Sequence, residues 1–112
     1  MDLKLPKVLS DLLTAQKNYD SDAYADCFSE TALVIDEETE YKGKKAMKDW
    51  IEDANQQFKT IMEVIRYSGT ESTGLLTAKI SGNFEGSPVL LDYNMELAGN
   101  KIVRLEITIS NE

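Results

Sequence analysis

The run "FSETALVIDEETEYKGKKAMKDW", Phe28 to Trp50, changes its hydrophobic period part-way through. "ALVIDE", Ala32 to Glu37, is apolar and β-branched and too short for a stable helix, which predicts a strand. "TEYKG" continues as a brief extended segment ending on Gly43. Beyond it Ala46, Met47, Trp50, Ile51, Ala54 and Phe58 fall on one face of a helix whose other face is charged. Alternation puts Ala32, Val34 and Asp36 on one side of the strand and Leu33, Ile35 and Glu37 on the other. If Val34 faces a core, Asp36 does too.

Working outward, "LPKVLSDLLTAQKNY" carries Leu5, Val8, Leu9, Leu12 and Leu13 at helical spacing, with Pro6 where a first turn tolerates it. Asp20 or Ser21 caps a second, short helix whose apolar stripe is Tyr24, Cys27 and Phe28. After Lys59 the period becomes two. Ile61, Ile65 and Tyr67 alternate with Met62, Val64 and Arg66, so both faces carry apolar residues and a central strand is expected. Leu76, Ala78, Ile80 and Phe84 alternate with polar residues. So do Leu91, Tyr93, Met95 and Leu97, and then Val103, Leu105, Ile107 and Ile109, each predicting a strand with one dry face.

The expected fold class is therefore α+β: three N-terminal helices packed in a strongly curved, mostly antiparallel sheet, a cone-shaped α+β barrel with a concave space at its open end. At 112 residues a single domain, 1–112, is expected.

Composition narrows the function. A net charge of -8 repels phosphate backbones, so no nucleic-acid partner is expected. No apolar run approaches the roughly 20 residues that span a bilayer, and "MDLKLPKVL" lacks a basic segment followed by a long apolar one, which reads as cytoplasmic with no membrane partner. With no histidine and one cysteine, Cys27, a structural zinc site and histidine-based nucleophilic schemes are set aside; neither metal nor cofactor is expected. Acid–base chemistry then falls to carboxylates, tyrosines, lysines or the lone thiol. Cys27 reads as a small buried hydrophobe, and Lys42, Lys44 and Lys45 as a solvated run.

The order helix, short helix, "A-x-V-x-D", glycine, "A-M-x-x-W", then hairpin-linked strands resembles the nuclear transport factor 2-like superfamily. It is most similar to small bacterial members grouped with SnoaL-like polyketide cyclases and ketosteroid isomerases. The resemblance runs from about Leu5 to Ile109, anchored on Phe28, Ala32, Val34, Asp36, Gly43, Ala46, Met47 and Trp50. It implies that Asp36 stands where the isomerases carry their general-base carboxylate. Their oxyanion-donating tyrosine falls at Leu12 here, and their protonated aspartate at Tyr93.

The candidate catalytic residues are accordingly Asp36 as base and Tyr93 as hydrogen-bond donor. The alternative places Asp36 at a cavity rim, hydrogen-bonded or solvated, and gives Tyr93 a neighbouring group or water as partner. Val34, Tyr41, Trp50, Tyr67, Tyr93 and Met95 are the expected ligand-binding residues, with core packing as the competing role for the aromatics. Arg66 with Asp36 would resemble the arrangement of epoxide-hydrolysing relatives if Asp92 joined them, although alternation puts Asp92 on the other face from Tyr93.

Two functions of different class follow: a domain that binds a small apolar or aromatic ligand, or a cofactor-independent isomerase or aldol-type cyclase acting on a ketone. A homodimer through the mixed outer face of the sheet is also expected.

Overall fold

The computed structural model describes residues 5–110. The ends of the expected 1–112 domain, residues 1–4 and 111–112, lie outside the described residues. Helix α1 (Lys7–Lys17) buries Val8, Leu9, Leu12, Ala15 and Gln16. Asp20 accepts from the Ala23 N–H at 3.1 Å and so caps α2 (Ser21–Asp26). Cys27 closes α2, and Phe28, expected on that helix, instead opens strand β1 (Phe28–Asp36); Tyr24, Cys27 and Phe28 are all buried.

A two-residue turn at Glu37 and Glu38, both with positive φ, folds β1 onto β2 (Thr39–Lys42). Gly43, at φ 88°, then leads into α3 (Lys44–Phe58), which buries Met47, Ile51 and Asn55 and ends on a left-handed Lys59. Four strands complete the chain: β3 (Ile61–Gly69), β4 (Thr73–Ser81), β5 (Val89–Ala98) and β6 (Lys101–Ile109).

One sheet in the order β2-β1-β6-β5-β4-β3 contains all six strands. Among the described residues only the β1–β6 pairing is parallel. The sheet is open, with β2 and β3 as its edges, so the expected barrel does not close. Helix α1 packs on β3 while α3 packs on β1 and β2, so the helical layer bridges the two edges and the core fills the space beneath it.

Several sequence expectations fail, in strand order, at irregularities of the ladder and at a strand end. Strand β3 is an edge, not a central strand. Its alternation is broken between Val64 and Arg66, so that Met62, Val64 and Tyr67 pack on the core while Ile61 stands 66% exposed. In β6 a register shift opposite Glu96 and Leu97 brings Ile102 into the core in place of Val103, and Ile109 runs out to 67% exposure. Phe84 lies in the loop after β4, not in the strand.

Candidate functional site

Strand register fixes the geometry of the site. Asp36 pairs with Ile107 across the parallel ladder, and Ile107 pairs with Tyr93 across the antiparallel one. Asp36 and Tyr93 therefore share one row on the inner face, two strand spacings or roughly 10 Å apart at Cα. This row floors a cavity of about 480 Å³. Ile80, Leu91 and Ile107 complete the floor, Tyr24, Trp50 and Ile51 form the helical wall, and Phe58, Phe84, Glu37 and Glu85 stand around the rest of the lining. Phe58 and Phe84 meet edge to face at 5.9 Å.

Asp36 is half-buried. Burial raises its carboxyl above the ordinary range. The Trp50 indole N–H, donated to Oδ2 at 3.1 Å, opposes that shift, and Glu37 adds to it. Among the described residues Oδ1 has no hydrogen-bond donor.

Tyr93 and Tyr24 are 7% and 4% exposed, and both line the cavity. Burial, followed by the nearby Asp36 charge, pushes the Tyr93 phenol up. Tyr24 is raised by burial, then by Tyr93, Cys27 and Asp36. Neither hydroxyl has a protein hydrogen-bond partner among the described residues, and neither oxygen is one of the fully enclosed unpartnered ones, so both open onto the cavity. A hydroxyl that opens onto a cavity takes its hydrogen bonds from whatever the cavity holds, water or a ligand. At the other end, Gln16 donates to Asn55 Oδ1 at 3.1 Å and to Thr60 Oγ1 at 2.9 Å, tying α1 to the turn between α3 and β3.

A structure of a candidate polyketide cyclase from Sinorhizobium meliloti superposes on this chain with a TM-score of 0.88. The two are 32% identical over 93% of this chain and 95% of that one. The chain belongs to the nuclear transport factor 2-like superfamily, among its SnoaL-like members. A ketosteroid isomerase-like protein from Catenulispora acidiphila, in complex with trimethylamine, matches at TM-score 0.85 and 13% identity, over 96% of this chain and 88% of that one. A nuclear transport factor 2-like protein from Cytophaga hutchinsonii matches at 0.80 and 13%, over 98% and 93%. At 13% identity these two likenesses show the fold alone. No family model and no curated protein matches the chain.

Within this SnoaL-like fold, Asp36, Trp50 and Tyr93 come together in the cavity. Val34 and Met95 occupy the next row, on either side of Leu105, fully covered and away from the cavity lining. Tyr41 stacks behind Trp50 with ring centroids 5.7 Å apart. Tyr67 lies over Gly74 at the other end of the sheet, where its hydroxyl is buried and unpartnered. Leu12 is buried in the core.

Arg66 and Asp92 are both in register with Thr77, on the opposite face from the Leu76–Tyr93 row, so an Asp36–Arg66–Asp92 set does not assemble. Burial pushes the Cys27 thiol up to about 11, which leaves it protonated and unreactive near neutral pH. Among the described residues no three His, Cys, Asp or Glu side chains converge to hold a metal ion, and no helix is long and apolar enough to cross a membrane.

Sequence reasoning did not single out Tyr24. Its signal was a tyrosine on a buried helical stripe where phenylalanine would pack as well: the extra hydroxyl needs a partner that the stripe does not supply. Gln16 left a similar trace, as an amide on the buried side of α1.

Proposed function

We propose that this chain is a SnoaL-like small-molecule-binding domain, built as an open cone of sheet around three helices, whose mainly apolar cavity holds one ligand between Trp50 and the Asp36–Tyr93 row. The observation that carries this reading is a cavity lined by two largely buried tyrosines, Tyr24 and Tyr93, whose hydroxyls have no protein partner among the described residues, beside a half-buried carboxylate. A ligand oxygen or nitrogen supplies the missing partner. Tyr41 backs Trp50, while Val34 and Met95 support the floor from the next row. The 1–112 unit acts as one cytoplasmic domain.

A compound screen read by thermal shift tests the proposal. A ligand at a hundred times its dissociation constant adds about 2.7 kcal/mol of stability. A collection of apolar and aromatic compounds that leaves the melting temperature unmoved would refute it.

The enzyme reading is favoured by one specific feature. Oδ2 of Asp36 is held by Trp50 while Oδ1 has no donor among the described residues, in a setting whose burial raises the carboxyl above its ordinary range. Asp36 would take a proton from the carbon beside a ketone, and Tyr93 would donate to the enolate oxygen. Tyr24 would offer from α2 the second hydroxyl that the isomerase pattern seeks at Leu12. Asp36→Asn should then lower turnover at least about a hundredfold; unchanged turnover sinks the assignment.

We also expect a homodimer through the outer sheet face, where Arg104 lies 3.8 Å from Glu96 and 3.6 Å from Glu106, beside exposed Leu75. Light scattering at micromolar concentration should give twice the chain mass.

A further inference from the structure

Charge selects the class of ligand. Asp36, Glu37 and Glu85 all line the cavity, among the described residues no lysine or arginine does, and the chain has no histidine. An anionic ligand would meet the half-buried Asp36 carboxylate and, at the margin, the exposed Glu37 and Glu85, with no counter-charge from the described lining, which is unfavourable. A ligand without an N–H or O–H donor would leave Asp36 half-buried with the Trp50 N–H as its one side-chain hydrogen bond among the described residues, and a cation offers that donor together with the charge a carboxylate favours.

We propose that the cavity binds an organic cation: a protonated amine carried on an apolar body, with its ammonium group seated between Asp36 and the rings of Tyr24, Trp50 and Tyr93. This rests on the binding-domain reading above and names its ligand. Asp36 Oδ1, the carboxylate oxygen without a donor, accepts one N–H of the ammonium in a charge-assisted bond. The Tyr24 and Tyr93 hydroxyl oxygens, which have no protein partner among the described residues, accept others.

The aromatic wall adds a second attraction. Tyr24 and Trp50 lie with ring centroids 6.4 Å apart, and a cation against such faces is drawn by their quadrupoles. The apolar body of the ligand lies over Ile107, Leu91 and Ile51. The exposed Glu37 and Glu85 at the margin, and a net charge of -8, raise the local concentration of cations.

Three probes of one shape test the charge: cyclohexylmethylamine, protonated at neutral pH, cyclohexylmethanol and cyclohexanecarboxylate. Trp50 is the only tryptophan in the chain, so its fluorescence reports occupancy of this cavity directly, and calorimetry gives the affinity. The ammonium probe should bind at least about tenfold more tightly than the alcohol, a difference of about 1.4 kcal/mol, and the carboxylate should give no saturable response. Asp36→Asn should bring the ammonium probe down to the affinity of the alcohol, whereas Glu85→Gln at the margin should weaken it less.

Equal or tighter binding of the alcohol to the unaltered protein overturns the cation inference and leaves the binding-domain reading standing. No saturable response from any of the three overturns both.

Discussion

Trp50 donates its indole N–H to Oδ2 of Asp36 across 3.1 Å, joining the middle of α3 to the end of β1. This bond favours the ionised carboxylate against a burial that disfavours it. Trp50→Phe keeps the ring packing on Tyr41 and Tyr24 but removes the donor, so the Asp36 carboxyl should titrate at a higher pH than in the unaltered protein. Carbon-detected NMR of the Asp36 side chain measures this directly. An unmoved titration would mean that the bond does not form in solution.

Asp36→Asn should raise stability at neutral pH. The folded-state pKa of Asp36 lies above its ordinary value, so the stability associated with this group is fully present below the unfolded pKa and is lost as pH rises through the folded one. Asparagine avoids that loss and can still accept the Trp50 N–H. Melting temperature should rise by less than about 5 °C at pH 7, with the gain shrinking as pH falls through the raised folded pKa and gone below about 4, the ordinary aspartate value. A variant that melts lower at pH 7 contradicts the sign.

Tyr24→Phe and Tyr93→Phe separate packing from recognition. Neither hydroxyl bonds to the protein among the described residues, so each variant should stay within about 0.5 kcal/mol of the original in denaturant melts. Affinity for any ligand that uses the hydroxyl should fall about tenfold. A large loss of stability would instead reveal a structural partner.

Tyr67 is held by the absence of side chains beneath it. A Cβ on Gly74 would stand 2.7 Å from the Tyr67 hydroxyl oxygen and 2.9 Å from its ring carbon Cε1. Gly74→Ala should cost about 1–3 kcal/mol, most of it recovered by adding Tyr67→Leu. Gly69→Ala should resist the same rescue, because its Cβ would also stand 2.5 Å from the Thr73 carbonyl. Chemical melts of the single and double variants form the cycle that checks this.

Much of the architecture was legible residue by residue. The helical stripe of Met47, Trp50 and Ile51, the cap at Asp20 and the alternation of Leu91, Tyr93, Met95 and Leu97 are local signals. Each emerged in the element it implied. The inward turn of Asp36 followed from Val34 two residues earlier.

Tertiary structure alone decided three things. It made β3 an edge, because strand order depends on pairings distant in the chain, such as β1 with β6. It moved Tyr67 and Ile102 to the inner face through register shifts, which arise from the fit of one strand against its neighbour and leave no trace in a single strand's pattern. It also brought Tyr24 and Trp50, from two different helices, over the row that holds Asp36 and Tyr93. Sequence thus determined which residues turn inward. Long-range packing determined which of those inward residues, Asp36, Tyr93, Tyr24 and Trp50, face open space instead of one another, and so which could meet a ligand.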